Sequence, residues 1–166
     1  MRKFLIAIFL LTSTSLFAEQ AVNSKNHDLC SSNEQVIFFC KSKHKIAGIC
    51  ASKVLSNSTG FAQYRVFEIG KDMAEFVFPE KPIPPGRNCI METQPLPGGI
   101  DVKIKFSNKD FLYIIHERDA PIDGEGFEGS SEIIIRREEH TLDSLKCLND
   151  DSEVRRAAYE SFSVQD

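Results

Sequence analysis

From Asp101 onward the chain alternates. Val102, Ile104 and Phe106 are apolar between charged Asp101, Lys103 and Lys105, and after a polar turn at Asn108-Lys109 apolar residues return at Phe111, Tyr113 and Ile115. A period of two marks a strand with one buried face. A hairpin is predicted, with Phe106 opposite Phe111, Ile104 opposite Tyr113 and Val102 opposite Ile115, all on one face. "QYRVFEIGKDMAEFVFP" repeats the plan around Gly70-Lys71-Asp72, where a three-residue loop sets Val66 opposite Phe76 and Tyr64 opposite Phe78. "VIFFCKSKHKIAGICA" predicts a third hairpin turning near Lys43-His44, and "SEIIIRREEHTLDSLKC" a fourth turning near Glu138-Glu139. The expected fold is all-β, with about eight antiparallel strands in consecutive hairpins, forming a small barrel or a sandwich.

The segments between hairpins break this pattern. "PEKPIPPGRNCIMETQPLPGG" holds six of the seven prolines. Proline removes a ladder donor, so this segment reads as extended connection and not as central strand. "DAPIDGEGFEGS" reads as a glycine-rich surface loop. After Cys147, polar residues precede Val154, Ala157, Ala158 and Phe162, a spacing that predicts a short capped helix within residues 148–162.

The N-terminus has a different pattern. Arg2-Lys3, an apolar run from Phe4 to Leu11 and a small-residue end at Ala18 have the layout of a secretory signal peptide. The apolar run is too short for a membrane span, which needs about 20 residues. Cleavage after Ala18 leaves residues 19–166 as a single β-rich domain. It also removes two basic residues, taking the formal net charge from −4 to −6. That acidity argues against nucleic acid or an anionic membrane surface as partner, and no membrane insertion is expected after cleavage. All five cysteines lie beyond the cleavage point, in what would be an oxidising compartment. Cys30, Cys40, Cys50 and Cys147 are the disulfide candidates, and Cys89 the free thiol. Cys40 and Cys50, on the two arms of one hairpin, suggest a local bridge, and Cys30 and Cys147 a bridge between the ends of the β region. Spacing alone does not fix the pairing.

Candidate chemistry is sparse. No short-spaced Cys/His pairs indicate a metal, and no cofactor motif is present. His27, His44 and His140 are scattered, and only His116, followed by Glu117 and Asp119, could serve as a general base beside a carboxylate. Asp119, Asp123, Glu125 and Glu128 lack the EF-hand order and read as a solvated loop. The polar stretch Ser58-Thr59-Gly60, with Tyr64 and Arg65 after it, suits contact with a protein partner, since tyrosine and arginine combine contact area with directed hydrogen bonds. The same stretch also reads as an ordinary turn with Gly60 at positive φ. Asn57-Ser58-Thr59 spells a glycosylation sequon.

Cys50-Ala51-Ser52, Leu55-Ser56, Thr59-Gly60 and Gln63-Tyr64-Arg65 resemble the pattern C-A-S-x-x-L-S-x-x-T-G-Y-x-Q-Y-R-F of a largely uncharacterised family of small secreted proteins of Gram-negative bacteria. Phe61 and Val66 depart from it, as does Glu138-Glu139 where the family has Asn-Gly. The resemblance implies a location, periplasmic or secreted, and carries no activity with it. A looser likeness is to periplasmic lysozyme inhibitors, in which a serine-glycine loop and a nearby tyrosine plug the enzyme's cleft. It implies an inhibitory role for Ser58, Thr59 and Tyr64. The expected function is therefore non-catalytic binding of another macromolecule, an unknown protein of the envelope or exterior, with inhibition of a cell-wall hydrolase as the sharpest version. The alternatives are a hydrolase using His116 and a purely structural envelope protein.

Overall fold

The alternating segments form the predicted strands, in a computed structural model that describes residues 29–122, 126–148 and 153–165. Strands β1 (Glu34–Lys41), β2 (Lys45–Ser52), β3 (Ala62–Glu68) and β4 (Phe76–Phe78) make one antiparallel meander. Strands β5 (Ile90–Leu96), β6 (Gly99–Asn108), β7 (Phe111–Ile122), β8 (Gly126–Arg137) and β9 (His140–Lys146) make a second. The three-residue β10 (Ser163–Gln165) adds a parallel edge beside β5. The two sheets are separate and stacked, so the fold is a sandwich, not a closed barrel. The signal-peptide segment and His27 lie outside the described residues, as do Asp123 and Glu125 of the acidic loop.

One hydrophobic cluster joins the facing surfaces. Ile49, Ala51, Ala62 and Tyr64 of the first sheet meet Met91, Val102, Ile104, Phe106, Ile115 and Ile133 of the second. Four rings cross the gap as a column: Phe78 stacks on Phe106 (5.6 Å between centroids), Phe106 on Tyr113 (5.0 Å) and Tyr113 on Phe76 (5.2 Å). A smaller cluster of Leu29, Cys30, Phe39 and Cys50 covers the outer face of the first sheet.

The second hairpin has the predicted register, Val66 with Phe76 and Tyr64 with Phe78. The β6–β7 hairpin is shifted by two: Phe106 faces Tyr113, Ile104 faces Ile115 and Val102 faces Glu117. The two-residue turn lies one residue later than expected, at Lys109-Asp110 and not Asn108-Lys109, with Lys109 at φ 55°. An even shift preserves the face, so the apolar set stays inward. The proline-rich segment contains a strand after all. β5 pairs with β6 through a Pro97-Gly98 turn, with Gly98 at φ 77°, where a proline followed by a residue at positive φ favours the bend. The glycine-rich segment is likewise strand on both sides, because β7 and β8 stay paired out to Ile122 and Gly126.

The C-terminal helix is shorter than predicted and has no side-chain cap. α1 covers Arg156–Ser161, and the backbone N–H of Arg155 donates to the Ile37 carbonyl (2.8 Å) instead. That carbonyl belongs to a β-bulge, where Val36 pairs with Cys50 and Phe38 with Ile49, leaving Ile37 as the extra residue.

The bulge also decides the disulfides. Strict alternation would put Cys40 on the same face as Val36, the face that carries Cys50. The extra residue reverses the parity, so Cys40 turns into the inter-sheet core opposite Ala47 while Cys50 stays outside. The bridges are therefore Cys30–Cys50 (Cα–Cα 5.5 Å) and Cys40–Cys147 (5.0 Å), not the suggested Cys40–Cys50 and Cys30–Cys147. Cys89 is free and buried, and burial pushes its thiol up to about 12, which leaves it unreactive at neutral pH.

Candidate functional site

The polar stretch between β2 and β3 is a braced loop. Gly60 at φ 76° turns the chain so tightly that a Cβ there would sit 2.2 Å from Ser52 Oγ and 2.4 Å from the Val54 carbonyl. The Ser52 hydroxyl donates to that carbonyl (2.8 Å) and accepts from the Phe61 N–H (3.0 Å). Across the tip, Ser56 Oγ lies 2.6 Å from Thr59 Oγ1 and accepts from the Ser58 and Thr59 N–H groups. Below the tip, Asn57 Nδ2 donates to Ser163 Oγ (2.9 Å) and the Asn57 carbonyl accepts from Gly86 N–H (3.1 Å). This occupies the Asn57 amide nitrogen that a sequon would offer. Residues 57–60 are nevertheless exposed, next to Val54 at 80 % exposure.

Tyr64 and Arg65 do not flank this loop as expected. Successive strand residues point to opposite faces, so the two separate. Tyr64 is 4 % exposed in the inter-sheet core, against Phe76, Phe106 and Tyr113. Arg65 points to the outer face and grips Glu34 with both guanidinium nitrogens (2.7 Å each), with a further bond to Gln63 Oε1 (2.8 Å). Burial pushes the Glu34 carboxyl up, but hydrogen bonds from Arg65 and the Ser31 N–H hold it below its ordinary value overall. Arg65 thus anchors the N-terminal segment that leads to Cys30, and only Ser58, Thr59 and Gly60 of the five candidates share a surface. Cys30, Glu34 and Cys50 come close enough to suggest a metal cluster, but both sulfurs are in the disulfide and Arg65 occupies the carboxylate.

His116 also has partners other than those expected. Glu117 is turned to the opposite face, where it accepts from the Val154 N–H, and burial raises its pKa. The neighbours of His116 come from adjacent strands: Asp101 Oδ2 is 3.0 Å from Nε2, and Glu132 Oε1 is 3.6 Å from Nδ1. Burial raises the Asp101 carboxyl, but His116 and Lys103 together bring it below its usual value. Only the Asp101 contact is within hydrogen-bond distance, and Glu132 stands beside the second ring nitrogen.

A cleft that sequence reading did not single out opens between the sheets, with a volume of about 180 Å³. Its walls are Val66, Phe76, Ile133, Ile135 and Leu145, the rings of Tyr64 and Tyr113 reach into it, and Lys45, Glu75 and Asp143 stand at its rim. These residues come from six strands, so no local pattern could have revealed the grouping.

Two disulfides fit an oxidising, non-cytoplasmic location, and among the described residues no helix is long and apolar enough to cross a membrane. Comparison with models of known protein families, with curated proteins and with solved structures found no match.

Proposed function

We propose that this chain is a non-catalytic binding protein of the periplasm or the cell exterior, and that it meets a protein partner through the loop of residues 53–61. The observation that carries this reading is the loop's construction: hydrogen bonds fix its shape from beneath while residues 57–60 stay exposed. A preformed loop loses little conformational entropy on docking, the property a cleft-plugging inhibitor needs. The family resemblance at Cys50 to Arg65 supports the location, and the looser likeness to lysozyme inhibitors supports a cell-wall hydrolase as target. Hydrolysis by His116 has less support, since Asp101 and Glu132 face both ring nitrogens.

The test is inhibition. Oxidised residues 19–166 are added in stoichiometric excess to lysozyme-type hydrolases while the clearing of a cell-wall suspension is followed, and binding is measured in parallel against the host's envelope proteins. Ser58→Trp adds bulk at the exposed tip without touching the bonds beneath it. Slowed clearing by wild type and its loss in Ser58→Trp is the expected result. If no hydrolase is slowed, and wild type and Ser58→Trp retain the same envelope proteins, the loop is a connection and the proposal falls.

A further inference from the structure

The inter-sheet cleft has a chemistry of its own, independent of the loop. Its walls are aliphatic and aromatic, and its volume of about 180 Å³ is close to the ~150 Å³ of an apolar cavity that accepts benzene. It therefore suits a six-membered ring or a hydrocarbon of similar size, well below a drug-sized ligand.

The rim selects the charge. Lys45 Nζ contacts both Glu75 carboxylate oxygens at 2.9 Å, so this pair is satisfied within the protein. Asp143 stands opposite on β9, exposed and with no ion-pair partner among the described residues. The phenols of Tyr64 and Tyr113 are kept protonated by burial, and for Tyr64 also by Tyr113, Asp143 and Glu75. The rim therefore carries one uncompensated negative charge above an apolar floor. We infer that the cleft is a binding site for a small organic cation, an alkylammonium whose hydrocarbon body packs on Val66, Ile133 and Leu145 and whose ammonium group faces Asp143.

Three isosteric probes test it: cyclohexylammonium, cyclohexanol and cyclohexanecarboxylate, titrated at constant ionic strength and pH 7. The chain has three tyrosines and no tryptophan. Two of those tyrosines line the cleft, so tyrosine emission reports occupancy. Cyclohexylammonium is expected to saturate, with cyclohexanol about five-fold weaker, the size of one partly exposed charge interaction, and the carboxylate weaker still. Asp143→Asn, at an exposed strand position, should reduce the ammonium to the level of the alcohol. Leu145→Phe should fill the cleft and weaken all three probes, with thermal melts confirming that both variants fold. Ser58→Leu, which alters the loop tip without adding a tryptophan to the emission, should leave these titrations unchanged, which separates this site from the loop. No saturation by cyclohexylammonium, equal binding of the carboxylate, or an ammonium preference that survives Asp143→Asn would overturn the inference.

Discussion

Removing the Cys40–Cys147 bridge should cost more stability than removing Cys30–Cys50, and the structure sets the difference. The first bridge closes a loop of 107 residues and the second a loop of 20. In the chain-entropy account a cross-link removes freedom from the unfolded chain in proportion to the logarithm of loop length, giving about 4.8 kcal/mol for the long loop and about 3.3 kcal/mol for the short one. The gap of about 1.5 kcal/mol is firmer than either value, because replacing any pair by alanine removes the same atoms. All four cysteines are at least partly buried, Cys40 and Cys50 completely, so packing losses partly cancel. The assay is urea denaturation at pH 7 of wild type, Cys40→Ala/Cys147→Ala and Cys30→Ala/Cys50→Ala, with m-values compared to confirm a common unfolded reference. Equal losses, or a larger loss for the Cys30–Cys50 variant, would refute the entropic ranking. Such a result would place the main contribution in the anchoring of the N-terminal segment beside Arg65.

Peptide mapping without reduction should recover Cys30 linked to Cys50 and Cys40 linked to Cys147, and Cys89 should be alkylated only after denaturation. Arg65→Ala strands a mostly buried Glu34 carboxylate and should cost about 3 kcal/mol, measured by the same urea titration. Because the folded-state pKa of Glu34 lies below its ordinary 4.5, the stability from this pair should be complete above that pH and be lost as pH falls through the folded value; acid unfolding of wild type and Arg65→Ala should therefore converge. Gly60→Ala forces a left-handed backbone and a 2.2 Å contact onto Ser52. It should destabilise by about 1–3 kcal/mol and, if the loop is the contact surface, abolish partner binding along with it.

Tyr64 and Arg65 have opposite roles although they are neighbours in the chain. Their adjacency suggested joint action, yet the pleat sends one ring into the core and one guanidinium to the outer face. The chain likewise places His116 beside Glu117 and Asp119, whereas strand pairing supplies Asp101 and Glu132. The loop at Ser58-Thr59-Gly60 was legible because turn chemistry is local and glycine marks the positive φ. The cleft was not legible, because its wall residues come from four strands in two different sheets.

What the sequence determined by itself was whatever depends on near neighbours. Period-two alternation specified the strands and their buried faces, and it gave the pairing of Tyr64 with Phe78 and Val66 with Phe76, although the ladder stops there and the three-residue loop at Gly70-Lys71-Asp72 does not form. Tertiary structure decided what depends on distant partners. It drew Ile90–Leu96 into a sheet despite Pro95, because β6 offered a partner edge and Pro97-Gly98 made the turn. It left the two sheets stacked and unclosed. It also paired the cysteines, because a single extra residue at Ile37 turned Cys40 from the outer face to the core. Alternation determines faces only while the ladder is regular, and the bulge is held partly from outside β1, by the Arg155 N–H more than a hundred residues away.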